Sequence, residues 1–179
     1  MKNKFVTVFG SSVPKPGEEE YETAYLLGTL LAQSGLNVCT GGYKGIMDAV
    51  SKGASEAGAE AVGVTLDIYN SVPSKYLTKE IKCHTLFDRL ENLINIGEAY
   101  VILQGGTGTL VELAIVWEFM NKKMMPKKPV ACHGQMWTEI VNFMESQIKK
   151  EKRETGLIKC FSDIEKCAGY IINSLSGTE

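Results

Sequence analysis

Residues 99–112 read AYVILQGGTGTLVE, and this stretch decides the fold. It opens with an apolar run typical of a buried strand, continues with a glycine-rich loop at 104–108, and leads into a helical pattern at 109–120. A strand, a short loop and a helix in this order are the first part of a β–α–β unit. Because the same alternation runs along the whole chain, the sequence predicts a parallel sheet with helices on both faces.

The predicted strands are continuously apolar, as strands buried on both sides of a sheet are. They cover residues 5–9, 36–40, 61–66, 81–84, 99–103, 129–132 and 157–161. Helical patterns cover 19–33, 45–57, 86–96, 109–120, 136–149 and 164–175, and Gly35, Gly58 and Gly97 stand where left-handed helix ends are expected. We therefore expect an α/β fold with a doubly wound, mostly parallel, Rossmann-like sheet in a single domain over 1–175. Residues 176–179 are expected to form a frayed tail.

Charge and composition exclude several classes of protein. Nineteen basic and twenty-one acidic residues give a net charge of −2, so we expect neither a nucleic acid nor a membrane as partner. The apolar run at 5–9 is too short for a signal peptide or a membrane span. Five widely spaced cysteines without a C-x-x-C pair favour free thiols in the cytoplasm, and no metal site is expected.

Small residues follow three of the predicted strands, at 10–12, 40–45 and 104–109. The carboxyl ends of parallel strands lie at one edge of the sheet, and free N–H groups at helix starts bind phosphate there. The pattern thus favours a nucleotide or sugar-phosphate site. A Walker A motif is absent, and the first strand lacks the G-x-G-x-x-G of dinucleotide-binding enzymes.

Glu112 has two interpretations from its spacing alone. Three residues after Thr109, it fits a capping box that starts the helix. It also fits a carboxylate that faces the bound ligand and acts in acid–base chemistry or in binding ribose hydroxyls. The spacing leaves both open.

Two motifs resemble those of the LOG (Lonely Guy) family, which belongs to a Rossmann-fold superfamily often labelled as lysine decarboxylases. Gly41-Gly42-Tyr43-Lys44-Gly45-Ile46-Met47 matches G-G-x-x-G-x-M. The stretch QGGTGTLVE at 104–112 resembles P-G-G-x-G-T-x-x-E. A lysine decarboxylase needs a lysine Schiff base to pyridoxal phosphate, and nothing in the sequence singles out such a lysine. We therefore reject that activity.

The resemblance implies a homodimer that cleaves the N-glycosidic bond of nucleoside 5′-monophosphates, such as AMP or cytokinin ribotides, without a cofactor. It implies catalytic roles for Arg89 and Glu112, although the sequence alone favours an exposed, ion-paired Arg89. The residues expected to bind the phosphate or nucleotide are Gly10, Ser11, Gly41, Gly42, Gly45, Met47, Gly105, Gly106, Thr107, Gly108 and Thr109.

Three positions depart from the pattern of the cytokinin-activating members of that family. Gln104 replaces the signature proline, Val111 replaces a glutamate, and Leu90 stands where those members carry lysine. With these departures the sequence resembles the broader superfamily, which includes molybdenum-cofactor carriers, and this resemblance implies a second hypothesis. The protein would then be a non-catalytic carrier that binds a nucleotide or the molybdenum cofactor.

Overall fold

The computed structural model describes residues 4–68 and 71–177. Its strands are β1 (Phe5–Phe9), β2 (Asn37–Thr40), β3 (Ala61–Leu66), β4 (Lys79–Cys83), β5 (Ala99–Ile102), β6 (Val130–His133) and β7 (Ile158–Phe161). They form one seven-stranded sheet in the order β4-β3-β2-β1-β5-β6-β7, and all neighbouring strands are parallel. The predicted α/β fold is confirmed.

Six helices cover the two faces of the sheet in the described residues. They are α1 (Glu19–Gln33), α2 (Ile46–Glu56), α3 (Leu86–Ile96), α4 (Thr107–Asn121), α5 (Gln135–Lys150) and α6 (Ile164–Ser176). One apolar core lies between the sheet and α1, α2 and α6, and a second lies between the sheet and α3, α4 and α5. The chain reverses its direction of winding between β1 and β5, and ligands of such sheets bind beside that point.

Strand β4 begins two residues earlier than expected. Lys79 and Glu80 are exposed because β4 is an edge strand, so a pattern of buried apolar residues does not include them. Charged side chains on an edge strand discourage pairing with another chain.

Gly35 and Gly58 have φ of +77° and +86° after α1 and α2, as expected of helix ends. The expectation for Gly97 was wrong, since its φ is −71°. Glycine is needed there for close packing instead, because a Cβ atom would lie 2.6 Å from the Thr7 hydroxyl oxygen.

Helix α6 extends to Ser176, so the helix includes the first residue of the expected tail. Residues 178–179, and residues 1–3 of the expected domain, lie outside the described residues. None of the helices described here is long and apolar enough to span a bilayer. All five cysteines are free thiols.

Candidate functional site

The three glycine-containing loops are joined by backbone hydrogen bonds at the carboxyl edge of the sheet. The N–H of Ser11, after β1, donates to the carbonyl oxygen of Gln104, after β5, over 2.8 Å. The carbonyl oxygen of Ser11 accepts from the N–H of Ile46, where α2 begins, also over 2.8 Å. Ser11 therefore connects the first loop to both of the others.

These loops surround a cavity of about 500 Å³ beside the reversal point of the sheet. Its lining combines backbone and hydroxyl groups with one guanidinium and one carboxyl group. The lining residues are Gly10, Ser11, Ser12, Tyr43, Met47, Ser71, Arg89, Gly106, Thr107, Gly108, Thr109 and Glu112.

Four predicted phosphate-binding residues, Gly41, Gly42, Gly45 and Gly105, do not line this cavity. They lie behind it. Gly41 shows why a glycine is required there, since an added Cβ atom would lie 2.0 Å from the Arg89 Nη2 atom. The glycine thus makes room for a residue that does line the cavity.

Helix α4 begins at Thr107, two residues earlier than the pattern predicted. Its N-cap is Gly106, and no side chain caps its first turn, so the capping-box interpretation of Glu112 was wrong. Uncapped N–H groups at a helix start carry partial positive charge and are donors for an anion. Because Gly106, Thr107, Gly108 and Thr109 all line the cavity, this end of α4 can bind a phosphate group there.

Gly106 and Gly108 are not required by the packing of the protein. A Cβ atom at either position would meet no other atom within 4 Å, and neither residue has a positive φ. Inside a helix, where Gly108 lies, glycine is less favourable than alanine by about 1 kcal/mol. What these glycines provide is space, which allows a ligand to approach the backbone closely.

Arg89 is buried, so the interpretation of Arg89 as an exposed helix residue was wrong. Only 9% of Arg89 is accessible. Its Nε–H donates to the Val64 carbonyl oxygen over 2.8 Å, and its Nη2 group donates to the Gly41 carbonyl oxygen over 3.2 Å. The guanidinium is therefore fixed at the carboxyl ends of β2 and β3.

Glu112 forms an ion pair with Arg89, with 4.0 Å between the Oε1 and Nη1 atoms. Its side chain is 12% exposed. Burial raises the pKa of Glu112 to about 7, and the positive charge of Arg89 partly opposes this rise. Near neutral pH the carboxyl group is thus present in both protonation states, as a group in acid–base catalysis should be.

Tyr43, Ser12 and Ser71 also line the cavity although none was predicted as a site residue. Tyr43 lies inside the second motif, and Ser12 follows Ser11 directly, so both were close to the expected site. Ser71 comes from the connection between β3 and β4, which has no glycine motif, and no signal in the sequence identifies it. Across the described residues, no group of three or more His, Cys, Asp and Glu side chains could hold a metal ion.

A second cavity, of about 260 Å³, opens at the same edge of the sheet, where α1 and α5 begin. Gln104, His133 and Trp137 line it, and it shares no lining residue with the first.

Comparison with known proteins identifies the family. The profile of the SLOG cluster4 family matches residues 3–163. The chain belongs to this family. The resemblance drawn from the two glycine motifs is thereby confirmed. A cytokinin riboside 5′-monophosphate phosphoribohydrolase of Rhodococcoides fascians is 28% identical over 129 residues, which cover 69% of this chain and 65% of that enzyme, just under two thirds of its length.

Solved structures similar to this SLOG cluster4 protein include two that handle the molybdenum cofactor. The molybdenum cofactor carrier protein of Chlamydomonas reinhardtii has a TM-score of 0.78 and 25% identity, with 98% of this chain and 99% of that chain covered. The molybdenum cofactor binding protein of Rippkaea orientalis has a TM-score of 0.77 and 21% identity over the same shares, which shows the fold alone.

The three departures from the LOG pattern lie outside the cavity of the SLOG cluster4 protein. Val111 is exposed on α4. Leu90 is buried in α3, where it lines the groove between α3 and α4. The carbonyl oxygen of Gln104 accepts the hydrogen bond from the Ser11 N–H, and Gln104 lines the second cavity. Arg89, Glu112 and the start of α4 therefore meet in one cavity despite these departures.

Proposed function

We propose that the protein hydrolyses the N-glycosidic bond of nucleoside 5′-monophosphates and releases a free base and ribose 5-phosphate. The observation that carries this proposal is the buried pair of Arg89 and Glu112, which faces the same cavity as the uncapped start of α4. The start of α4 suits a phosphate, and the Glu112 carboxylate suits a reaction that develops positive charge. The similarity to the Rhodococcoides phosphoribohydrolase supports the same activity.

The start of α4 would hold the 5′-phosphate through the N–H groups of residues 107–109. The phosphate does not react, so its binding energy serves to position the ribose. Ser11, joined to this loop through Gln104, would add its hydroxyl group to the same cavity. We assign phosphate or nucleotide binding to the predicted residues that line the cavity, which are Gly10, Ser11, Met47, Gly106, Thr107, Gly108 and Thr109.

Cleavage develops positive charge on the ribose as the base departs, as in other glycosidic reactions. The ionised form of Glu112 would stabilise this charge and accept a proton from the attacking water. A new bond forms between that water and C1′, while the base leaves with the electrons of the N-glycosidic bond and takes up a proton. Arg89 would keep a share of Glu112 ionised at neutral pH, because its positive charge lowers the pKa of the carboxyl group.

Incubation with AMP and with cytokinin ribotides tests this proposal, with free base and ribose 5-phosphate followed by chromatography. The wild-type protein is expected to release base, and Glu112→Gln is expected to lose at least about a hundredfold in rate. Glu60→Gln is the matched control, because Glu60 is an exposed residue before β3 and lies outside the cavity. If the wild type releases base no faster than Glu112→Gln from any of these nucleotides, they are not its substrates.

A second candidate is a carrier that binds the molybdenum cofactor or a nucleotide without turnover. It is favoured by the similarity to the Chlamydomonas carrier over 98% of this chain. The second cavity, of about 260 Å³ beside Gln104, has no role in the hydrolysis proposed above and is open to a ligand at the same edge of the sheet. Native mass spectrometry of purified protein is expected to detect a retained ligand if this function applies. A ligand-free protein that nucleotides and pterins do not stabilise thermally would argue against it.

A homodimer formed through α3, α4 and α5 is also proposed. Large apolar side chains on or beside these helices are exposed, among them Phe87 at 82%, Met124 at 67% and Phe143 at 73%. Apolar grooves of about 350 and 400 Å³ run along the two sides of α4. Exposed apolar surface of this extent is typical of a protein interface. Light scattering should give twice the chain mass, and Phe87→Glu should reduce it.

A cytoplasmic location is proposed from the five free thiols, which a reducing compartment maintains. Fractionation of cells that express the protein tests this location.

A further inference from the structure

Tyr43 lies at the centre of the second glycine loop, and the function proposed above gives it no role. The motif G-G-x-x-G-x-M leaves its position variable, so its identity belongs to this chain. Its side chain lines the cavity while only 8% of the residue is exposed. A tyrosine buried this deeply in a loop normally has partners for its hydroxyl group.

The hydroxyl group of Tyr43 makes two hydrogen bonds to one residue of β3. It donates to the Leu66 carbonyl oxygen over 2.9 Å and accepts from the Leu66 N–H over 2.8 Å. Val64, two residues earlier on the same strand, accepts the hydrogen bond from Arg89 Nε. The Tyr43 ring and the Arg89 guanidinium are thus both attached to the carboxyl end of β3.

The ring of Tyr43 also faces the guanidinium directly. The Arg89 Cζ atom lies 6.0 Å from the ring centroid, within the range of a cation–π interaction. Arg89 is therefore held by two carbonyl oxygens and one aromatic face, and its remaining Nη1 group is directed to Glu112.

We propose that Tyr43 is a positioning residue whose ring and hydroxyl group keep the Arg89 guanidinium beside the Glu112 carboxyl group. The proposal rests on the proposed function only for the roles of Arg89 and Glu112 in catalysis. The geometry is independent of turnover, and so is the measurement that tests it.

Removal of the ring should weaken the hold on Arg89 and raise the pKa of Glu112. Arg89 is the charged group that acts on this carboxyl group, and the nearby Cys39 and Cys83 are neutral thiols whose pKa values burial raises. An opposite charge within about 4 to 6 Å lowers a carboxyl pKa by about 1 to 3 units, so its partial loss raises the pKa of Glu112 by about 1 unit. If the substitution only loosened the packing of the site, the pKa of Glu112 would fall instead, because water that enters stabilises the ionised carboxylate.

The experiment is an NMR titration of protein labelled with ¹³C at the glutamate carboxyl carbon, in which Glu112→Gln assigns the Glu112 signal. Tyr43→Leu removes the ring and the hydroxyl group, whereas Tyr43→Phe keeps the ring. We expect the midpoint to rise by about 1 pH unit in Tyr43→Leu and by less in Tyr43→Phe. Tyr100→Phe is the control, because it removes a fully buried hydroxyl group, bonded to the Ile94 carbonyl oxygen, outside the cavity.

The proposal is overturned if Glu112 titrates at or below the wild-type midpoint in every folded variant of Tyr43. Tyr43→Phe decides the question if Tyr43→Leu does not fold. A raised midpoint in a protein that hydrolyses no nucleotide would support the positioning role and reject only the proposed reaction. If the reaction is found, Tyr43→Phe should lower kcat several-fold with little change in KM.

Discussion

The replacement Glu112→Gln should change how the stability of the protein depends on pH. Burial raises the pKa of Glu112 in the folded protein to about 7 from an ordinary value of 4.5. Between these two values the folded chain binds a proton that the unfolded chain has released. The free energy of unfolding contributed by this group therefore falls as pH rises from about 4.5 to about 7 and is constant above that.

The size of the effect follows from the two pKa values. Each pH unit between them corresponds to about 1.4 kcal/mol, so the ionised carboxyl group destabilises the fold by about 3.5 kcal/mol in total. About 2.5 kcal/mol of this lies between about pH 5 and about pH 8.5. Glutamine has the shape of the protonated side chain and does not titrate. Relative to wild type, Glu112→Gln should therefore become more stable by about 2.5 kcal/mol over this interval.

Urea denaturation at a series of pH values, at one fixed protein concentration, measures this difference. A fixed concentration is needed because dimerisation would add a concentration-dependent contribution to stability. Glu60→Gln removes the same charge from an exposed position, and its difference from wild type should stay within about 0.5 kcal/mol. A constant difference between Glu112→Gln and wild type at all pH values would refute the assignment of a raised pKa to Glu112.

Three further predictions concern other parts of the structure. Gly41→Ala should leave the protein folded but reduce AMP hydrolysis or binding about a hundredfold, because the added Cβ atom would displace the Arg89 guanidinium. Circular dichroism checks the fold, and the AMP assay checks the activity. Asp48→Ala should lower the free energy of unfolding by about 3 kcal/mol, because the hydroxyl groups of Tyr21 and Ser74 each donate a hydrogen bond to Asp48 over 2.6 Å. Urea denaturation measures this loss, which should be smaller in Asp48→Asn. Gly169→Ala should raise the free energy of unfolding by about 0.5 to 1 kcal/mol, because Gly169 lies in α6 and an added Cβ atom would meet no other atom within 4 Å. A lower free energy of unfolding in urea would contradict this prediction.

The ends of several elements could be predicted from the sequence because local signals bound them. Strand β1 and helices α1 and α3 begin and end where their patterns do. In α3, Thr85 caps the helix by accepting from the Asp88 N–H. Helix α4 could not be delimited in this way, because its first turn contains glycine and threonine, which are weak helix formers. The three loops that meet at this turn are joined by hydrogen bonds between residues far apart in sequence, which a local pattern does not show.

The position of the site could be predicted, but its internal geometry could not. Parallel topology brings the ends of β1, β2 and β5 to one edge, and this follows from the order of strands and loops. The burial of Arg89 does not follow from the sequence, because a charged residue in an amphipathic helical pattern is ordinarily assigned to the solvent-exposed face. The partners that allow its burial, the carbonyl groups of Gly41 and Val64, are 48 and 25 residues away in sequence.

The fixed position of Arg89 has a consequence for the thermodynamics of ligand binding. A free arginine side chain has about 2 kcal/mol of rotamer entropy, and this side chain loses much of it when the protein folds and the guanidinium bonds to the Val64 and Gly41 carbonyl groups. A ligand that contacts this guanidinium therefore does not have to immobilise it. Such binding should show a small entropic penalty, and the tolerance of the site for ligands of altered shape should be correspondingly narrow.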